Sequence, residues 1–175
     1  MVTLLLLRHA RATSIAANGD SERPLDERGR QDALALGGWL RQSGLLVDDV
    51  LCSPARRARE TWQLLSSRLK SPPEAVLESL IYDAGAEALL AHLARRRDAA
   101  DCILVVGHNP TLHQLAFTLA GSGGGRALDR LTTDFPPGSL VELGFAGGWQ
   151  TLAAGAGVLR RFVTPKDLER GRETS

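Results

Sequence analysis

Two runs of bulky apolar residues, Leu4-Leu5-Leu6-Leu7 and Ile103-Leu104-Val105-Val106, show no apolar/polar alternation and are short. Segments of that length and uniformity fit strands buried on both faces, in the middle of a parallel sheet covered by helices. A third run, Val50-Leu51-Cys52, has the same character. Each ends in a polar signal: Arg8-His9 after the first, Ser53-Pro54-Ala55-Arg56-Arg57 after Cys52, and Gly107-His108-Asn109 after Val106. If the three strands are parallel neighbours, His9, His108 and one or both arginines converge at one sheet edge, where open α/β sheets bind their ligands.

The punctuation between these runs alternates helix with strand. Asn18-Gly19-Asp20-Ser21 and Arg23-Pro24 mark a loop, after which Asp26 caps an expected helix from about Glu27 to Gln42, closed by Ser43-Gly44. Ala33, Leu36, Leu40 and Trp39 supply its apolar stripe. Val47–Cys52 reads as the second strand. Ser53 is expected at the N-cap and Pro54 at the first position of a helix reaching about Leu69. Lys70-Ser71-Pro72-Pro73 stops it, and a short strand over Ala75–Leu77 and a helix from about Glu87 to Arg97 follow. Cys102–Val106 is the third central strand, and Asn109-Pro110 opens a helix to about Ala120. Gly121–Gly125 reads as a flexible turn, Ser139–Phe145 and Trp149–Ala153 as a hairpin around Gly147-Gly148, and residues 166–175 as a polar C-terminal tail. The whole predicts one α/β domain over residues 1–175 with right-handed crossovers.

Composition narrows the partners. A net charge of +1 on 175 residues offers no field for nucleic acid or an anionic membrane, so anion recognition has to be local. Val2–Leu7 is too short for a membrane span or signal core, which makes the cytoplasm the expected location. Cys52 and Cys102 lie in or beside apolar runs without metal-type spacing and read as buried thiols.

The residues at the strand ends support phosphate chemistry. An imidazole at His9, in the positive field of Arg8 and Arg57, is held neutral and nucleophilic. Attack by its nitrogen on phosphorus needs planar cationic donors around the three equatorial oxygens, which Arg8 and Arg57 can supply as bidentate forks. His108 can donate to the same oxygens, and helix N-termini after Ser53 and Asn109 add backbone donors. His92 and His113 fall within predicted helices and read as packing or surface residues, as do Arg56, Arg59 and the helix-ending Arg95-Arg96-Arg97.

Three segments then carry a resemblance: Leu-Leu-Arg8-His9-Ala10, Ser53-Pro54-Ala55-Arg56-Arg57-Ala58-Arg59-Glu60-Thr61 and Val105-Val106-Gly107-His108-Asn109-Pro110. In that order they resemble the histidine phosphatase superfamily. The short chain, Arg23-Pro24-Leu25 with Gly29, and Gly-His-Asn-Pro look like its SixA-type phosphohistidine phosphatases. The similarity runs from Leu4 to about Pro137. It implies a phosphoglycerate mutase-like, three-layer α/β/α sandwich with a mostly parallel central sheet. It also implies His9 as the phosphorylated nucleophile, Arg8 and Arg57 as phosphate-binding arginines and His108 as the second pocket histidine. Ser53, Asn109 and Arg23 join them as expected substrate contacts. The spacing of the middle motif selects Arg57 over Arg56.

Two positions depart from the family pattern. Ala10 replaces the glycine of Arg-His-Gly, and Asn109 stands where acid-phosphatase relatives carry an aspartate. An amide cannot donate a catalytic proton. Mutase-like relatives take their acid from the segment before the second histidine, where Glu78, Asp83 and Glu87 are the candidates. A phosphoramidate whose ring is already protonated can leave without such an acid.

The expected activity is therefore a phosphatase without metal or cofactor, acting on phosphohistidine in a protein. Small phosphomonoesters or a mutase reaction are the alternatives. A phosphate- or phosphopeptide-binding module without catalysis is a further class. A metal hydrolase is a third, although neither histidine has His-x-His or His-x-x-x-His spacing.

Overall fold

Leu4 and Leu6 face one hydrophobic cluster and Leu5 and Leu7 face another, all four fully buried, so the first strand lies between two layers of helix. The computed structural model describes residues 1–96 and 100–173. In chain order these form β1 (Val2–Arg8), α1 (Glu27–Ser43), β2 (Asp49–Cys52), α2 (Arg56–Ser66), β3 (Ala75–Leu77), α3 (Leu80–Asp83) and α4 (Ala86–Ala94). They continue with β4 (Cys102–Gly107), α5 (Thr111–Leu119), β5 (Ala120–Gly123), α6 (Gly125–Thr133), β6 (Leu140–Phe145), β7 (Gly157–Val163) and α7 (Pro165–Glu173).

The strands make one sheet in the order β3-β2-β4-β1-β6-β7-β5. β1, β2, β3 and β4 are mutually parallel, and β6 runs antiparallel to both β1 and β7. The three apolar runs are thus adjacent parallel strands, as their patterning predicts. Leu36 and Leu40 of α1 and Ala58, Trp62 and Leu65 of α2 cover one face, and Leu168 of α7 packs beside them. Leu89 and Leu93 of α4, Leu112, Leu115 and Leu119 of α5 and Leu131 cover the other. Fully burying one such leucine contributes about 1.5–3 kcal/mol, so these clusters dominate the fold's stability.

Capping sets where α1 runs. The Asp26 carboxylate accepts the Gly29 N–H at 2.8 Å, and Gly44, in the left-handed region at φ 73°, ends the helix. At Gly29 a β-carbon would stand 2.0 Å from the Arg11 carbonyl oxygen, which places α1 directly against the segment leaving the sheet edge.

Several elements differ from the sequence reading. α2 begins at Arg56 with Ala55 at its N-cap and no side-chain cap; Ser53 lies one residue past β2, where its N–H still donates to the Val106 carbonyl of β4 at 2.9 Å. Trp149–Ala153 is not a strand. Trp149 is buried and donates its indole N–H to the Ala100 carbonyl at 2.7 Å, within a short 3-10 turn, and β6 pairs instead with β7. The glycine-rich segment after α5 is an edge strand paired to β7, followed by α6.

Residues from Pro165 form α7, where the Asp167 carboxylate accepts the Thr164 N–H and hydroxyl at 2.9 and 2.8 Å. Residues 174–175 of the expected tail lie outside the described residues. α4 ends at Ala94, Arg96 is ion-paired with Asp49, and Arg97 lies outside the described residues. No described helix is long and apolar enough to cross a membrane.

Candidate active site

The parallel register places Arg8 opposite Gly107 and Cys52 opposite Val106, so His9, Ser53 and His108 leave adjacent strands at one edge. The turn after β1 is tied on three sides. His9 N–H donates to Gly107, Gly138 N–H to the Arg8 and His9 carbonyls, and Ala10 N–H to the Thr61 hydroxyl at 3.0 Å. Thr61 is fully buried and donates its own proton to the Arg57 carbonyl at 2.7 Å. α2 therefore carries both the arginine and the group that positions the histidine turn.

Arg57 is 5% exposed and each of its three guanidinium nitrogens makes one hydrogen bond. Nε donates to Nε2 of His9 at 3.2 Å, Nη1 to the Asp20 carbonyl at 2.7 Å and Nη2 to the Asp20 carboxylate at 3.0 Å. An arginine N–H can only donate, so His9 Nε2 presents a lone pair and Nδ1 carries the proton, which it gives to the Ala10 carbonyl at 2.8 Å. Burial, followed by the neighbouring His108, Arg57 and Arg8 charges, pulls the His9 pKa down to about 3. His108 lies 5.0 Å away between ring centroids and bonds Ser53 Oγ through Nε2 at 2.7 Å. Burial and Arg57 bring its pKa to about 4.

The Phe135 carbonyl accepts both Arg8 Nη1 at 2.8 Å and Asn109 Nδ2 at 3.0 Å, bringing those two residues to the same corner. Arg8 Nε, His108 Nδ1 and Asn109 Oδ1 are buried without a hydrogen-bond partner. Arg23 donates to the Asp20 carboxylate at 2.8 Å and to the Thr13 carbonyl at 2.9 Å, so it fastens the 13–24 loop. Arg56 is instead paired with Glu60 at 2.7 Å, on the outside of α2.

The acid candidates are not bonded to this cluster. Glu78 lies 3.7 Å from His92, Asp83 and Glu87 are exposed, and no hydrogen bond or ion pair joins them to His9, Arg57 or His108. The carboxylate bonded to Arg57 is that of Asp20, in the segment 18–21 that the sequence marks as a loop. Its Oδ2 also accepts the hydroxyl of Tyr82 at 2.9 Å, and the Tyr82 ring stands edge-on to His108 at 5.3 Å. The bonds from Tyr82, Arg23 and Arg57 hold Asp20 at a pKa of about 2 against its desolvation. Tyr82 was also missed. The only signal available was that it is the chain's one tyrosine, between two motifs.

The remaining side chains serve packing. His113 bonds the Leu131 carbonyl at 2.6 Å, and burial pushes both cysteine thiols up to about 12. Among the described residues no group of three or more His, Cys, Asp or Glu is arranged to hold a metal ion.

Comparison with known proteins identifies the family. Residues 4–80 match the model of the histidine phosphatase superfamily, branch 1. An uncharacterized protein of Mycobacterium tuberculosis is 35% identical over 162 residues, covering 91% of this chain and all of its own. The phosphohistidine phosphatase SixA of Escherichia coli is 30% identical over 118 residues, 66% of this chain and 73% of that one. A solved structure assigned as SixA from Nakamurella multipartitia superposes with a TM-score of 0.80 at 31% identity, covering 94% of this chain and 96% of the other. The chain belongs to the histidine phosphatase superfamily, and within it to the SixA-type phosphatases.

Proposed function

We propose that this phosphatase removes phosphate from phosphohistidine carried on a protein, through a phosphorylated His9. The observation that carries the reading is the Arg57–His9 contact, which leaves Nε2 unprotonated and fixed in direction. As phosphate binds, the Arg57 Nε–H that occupies the Nε2 lone pair in the free site turns its hydrogen bond to a phosphoryl oxygen; Nε2 then attacks phosphorus as the bond from phosphorus to the substrate nitrogen breaks, and the departing ring keeps that electron pair. Water then attacks the phosphorus of phospho-His9, releasing inorganic phosphate and restoring the free imidazole. Arg8, Arg57 and His108 bind the phosphoryl oxygens. Arg8 Nε and His108 Nδ1 are buried polar atoms still lacking partners, suited to such an acceptor. Ser53 orients His108, and Asn109 and Arg23 hold the pocket walls.

The substrate class follows from proton supply. Asp20 is ionised at neutral pH, Asn109 cannot act as an acid, and Glu78, Asp83 and Glu87 make no hydrogen bond to His9, Arg57 or His108. A leaving oxygen would need a proton that none of these supplies, whereas a protonated phosphoimidazole departs as a neutral ring. The relatives named phosphohistidine phosphatase support the same class.

The test is a panel in one buffer comparing a phosphohistidine peptide with an alkyl phosphomonoester, plus trapping of acid-labile, base-stable phosphate on His9. The peptide is expected to be turned over at least about a hundredfold faster, the lower end of the benefit a general acid would otherwise supply. Equal turnover would overturn the substrate class, and full activity in His9→Ala would overturn the covalent route.

A further inference from the structure

Asp20 lies where a substrate oxygen is expected. Its carboxylate and its own carbonyl take Nη2 and Nη1 of Arg57, the two terminal nitrogens of the guanidinium fork. Arg23 holds the other carboxylate oxygen and Tyr82 donates to the oxygen that faces Arg57, so the group is aimed rather than merely nearby. Yet its side chain is 55% exposed, in contrast to the 6% exposure of Arg57, which places it at the mouth of the cluster. Phosphate reaching Arg57 must share the fork with this carboxylate or push it aside. The body that carries the phosphate then lies against a negative charge.

We propose that Asp20 is a specificity-determining residue, a built-in competitor for the phosphate clamp that disfavours phosphates carried on anionic bodies and favours those carried on cationic or N–H-bearing groups. The proposal rests on the reading of Arg57 as a phosphate ligand. A protonated phosphoimidazole presents its distal N–H as a donor to the carboxylate, and a phosphate ester that bears a free carboxylate presents a like charge. Tyr82 and Arg23 act as positioning residues for Asp20.

Two phosphomonoesters of opposite charge test this independently of the phosphohistidine reading: phosphoethanolamine, with a cationic body, and 3-phosphoglycerate, with an anionic one. Each is measured with wild type, Asp20→Asn and Asp20→Ser, as kcat/KM, or as Kd by calorimetry for a compound that binds without turnover. Inorganic phosphate serves as the inhibitor common to all three proteins. The expected result is severalfold tighter phosphate inhibition in both variants. The preference for phosphoethanolamine over 3-phosphoglycerate should fall about five- to tenfold, as suits a half-exposed charge. An unchanged preference in both variants overturns the proposal, whatever happens to phosphate affinity. Wild type that turns over these esters but not a phosphohistidine peptide overturns the preceding reading and leaves the charge preference standing or falling on its own numbers.

Discussion

Nε of Arg57 donates to Nε2 of His9 across 3.2 Å, so the residue that positions the imidazole also prevents its protonation from the pocket side. In the free site that lone pair accepts the Arg57 N–H, so it carries no proton at neutral pH and becomes available to phosphorus when the guanidinium turns this N–H to a phosphoryl oxygen.

Arg57 and its neighbour Arg56 should therefore behave differently. Arg57→Ala is expected to lower phosphatase turnover about 10²–10³-fold, the range for losing a preorganised donor. Arg56→Ala removes a half-exposed pair to Glu60 and should change turnover less than about threefold. Steady-state rates on p-nitrophenyl phosphate distinguish them, and equal losses would refute the assignment.

The two pocket histidines predict an acid-side loss of stability. Both folded-state values, about 3 for His9 and about 4 for His108, lie below the ordinary 6.5, so between those limits the unfolded chain binds more protons than the folded one. Stability is then undiminished by these groups above pH 6.5 and falls as the pH drops toward 4, by at most about 1.4 kcal/mol per unit for each histidine. Urea midpoints measured from pH 7 to pH 4 should show that slope, and His9→Gln should flatten it by roughly half.

Thr61 links the two halves of the cluster through one hydroxyl. Thr61→Val leaves the buried Ala10 N–H without its acceptor and should cost about 1–3 kcal/mol. It should also lower kcat more than it raises KM, since His9 is displaced while Arg57 remains. Thr61→Ser should restore kcat, which a purely packing role would not require.

Gly29→Ala tests the contact between α1 and the segment after His9. Its β-carbon would meet backbone at Arg11, which cannot rotate away, so a loss of about 1–3 kcal/mol in chemical denaturation is expected.

The central strands were legible because burial on both faces requires an uninterrupted apolar run, and β1, β2 and β4 each have one. The four residues of the inner cluster were legible because each lies within two residues of the end of such a run or in the first turn of the next helix. What escaped depended on contacts between segments far apart in the chain. Asp20 and Tyr82 are separated by 62 positions and meet only because a loop folds over α2. Ser53 looked like a helix cap from its neighbour Pro54, but its hydroxyl is bonded to His108, and the helix starts later. Trp149 has strand-like chemistry, and its indole instead closes the end of a cluster already formed by helices.

The Phe135 carbonyl holds Arg8 and Asn109 together, and that acceptor is main chain. Its presence does not depend on which side chain occupies the position, so the phenylalanine could drift to another residue that fills the same space without altering either bond. A one-residue insertion or deletion between α6 and β6 would instead move the oxygen and loosen two pocket residues at once. A change of loop length there should therefore lower turnover more than a change of residue identity at Phe135.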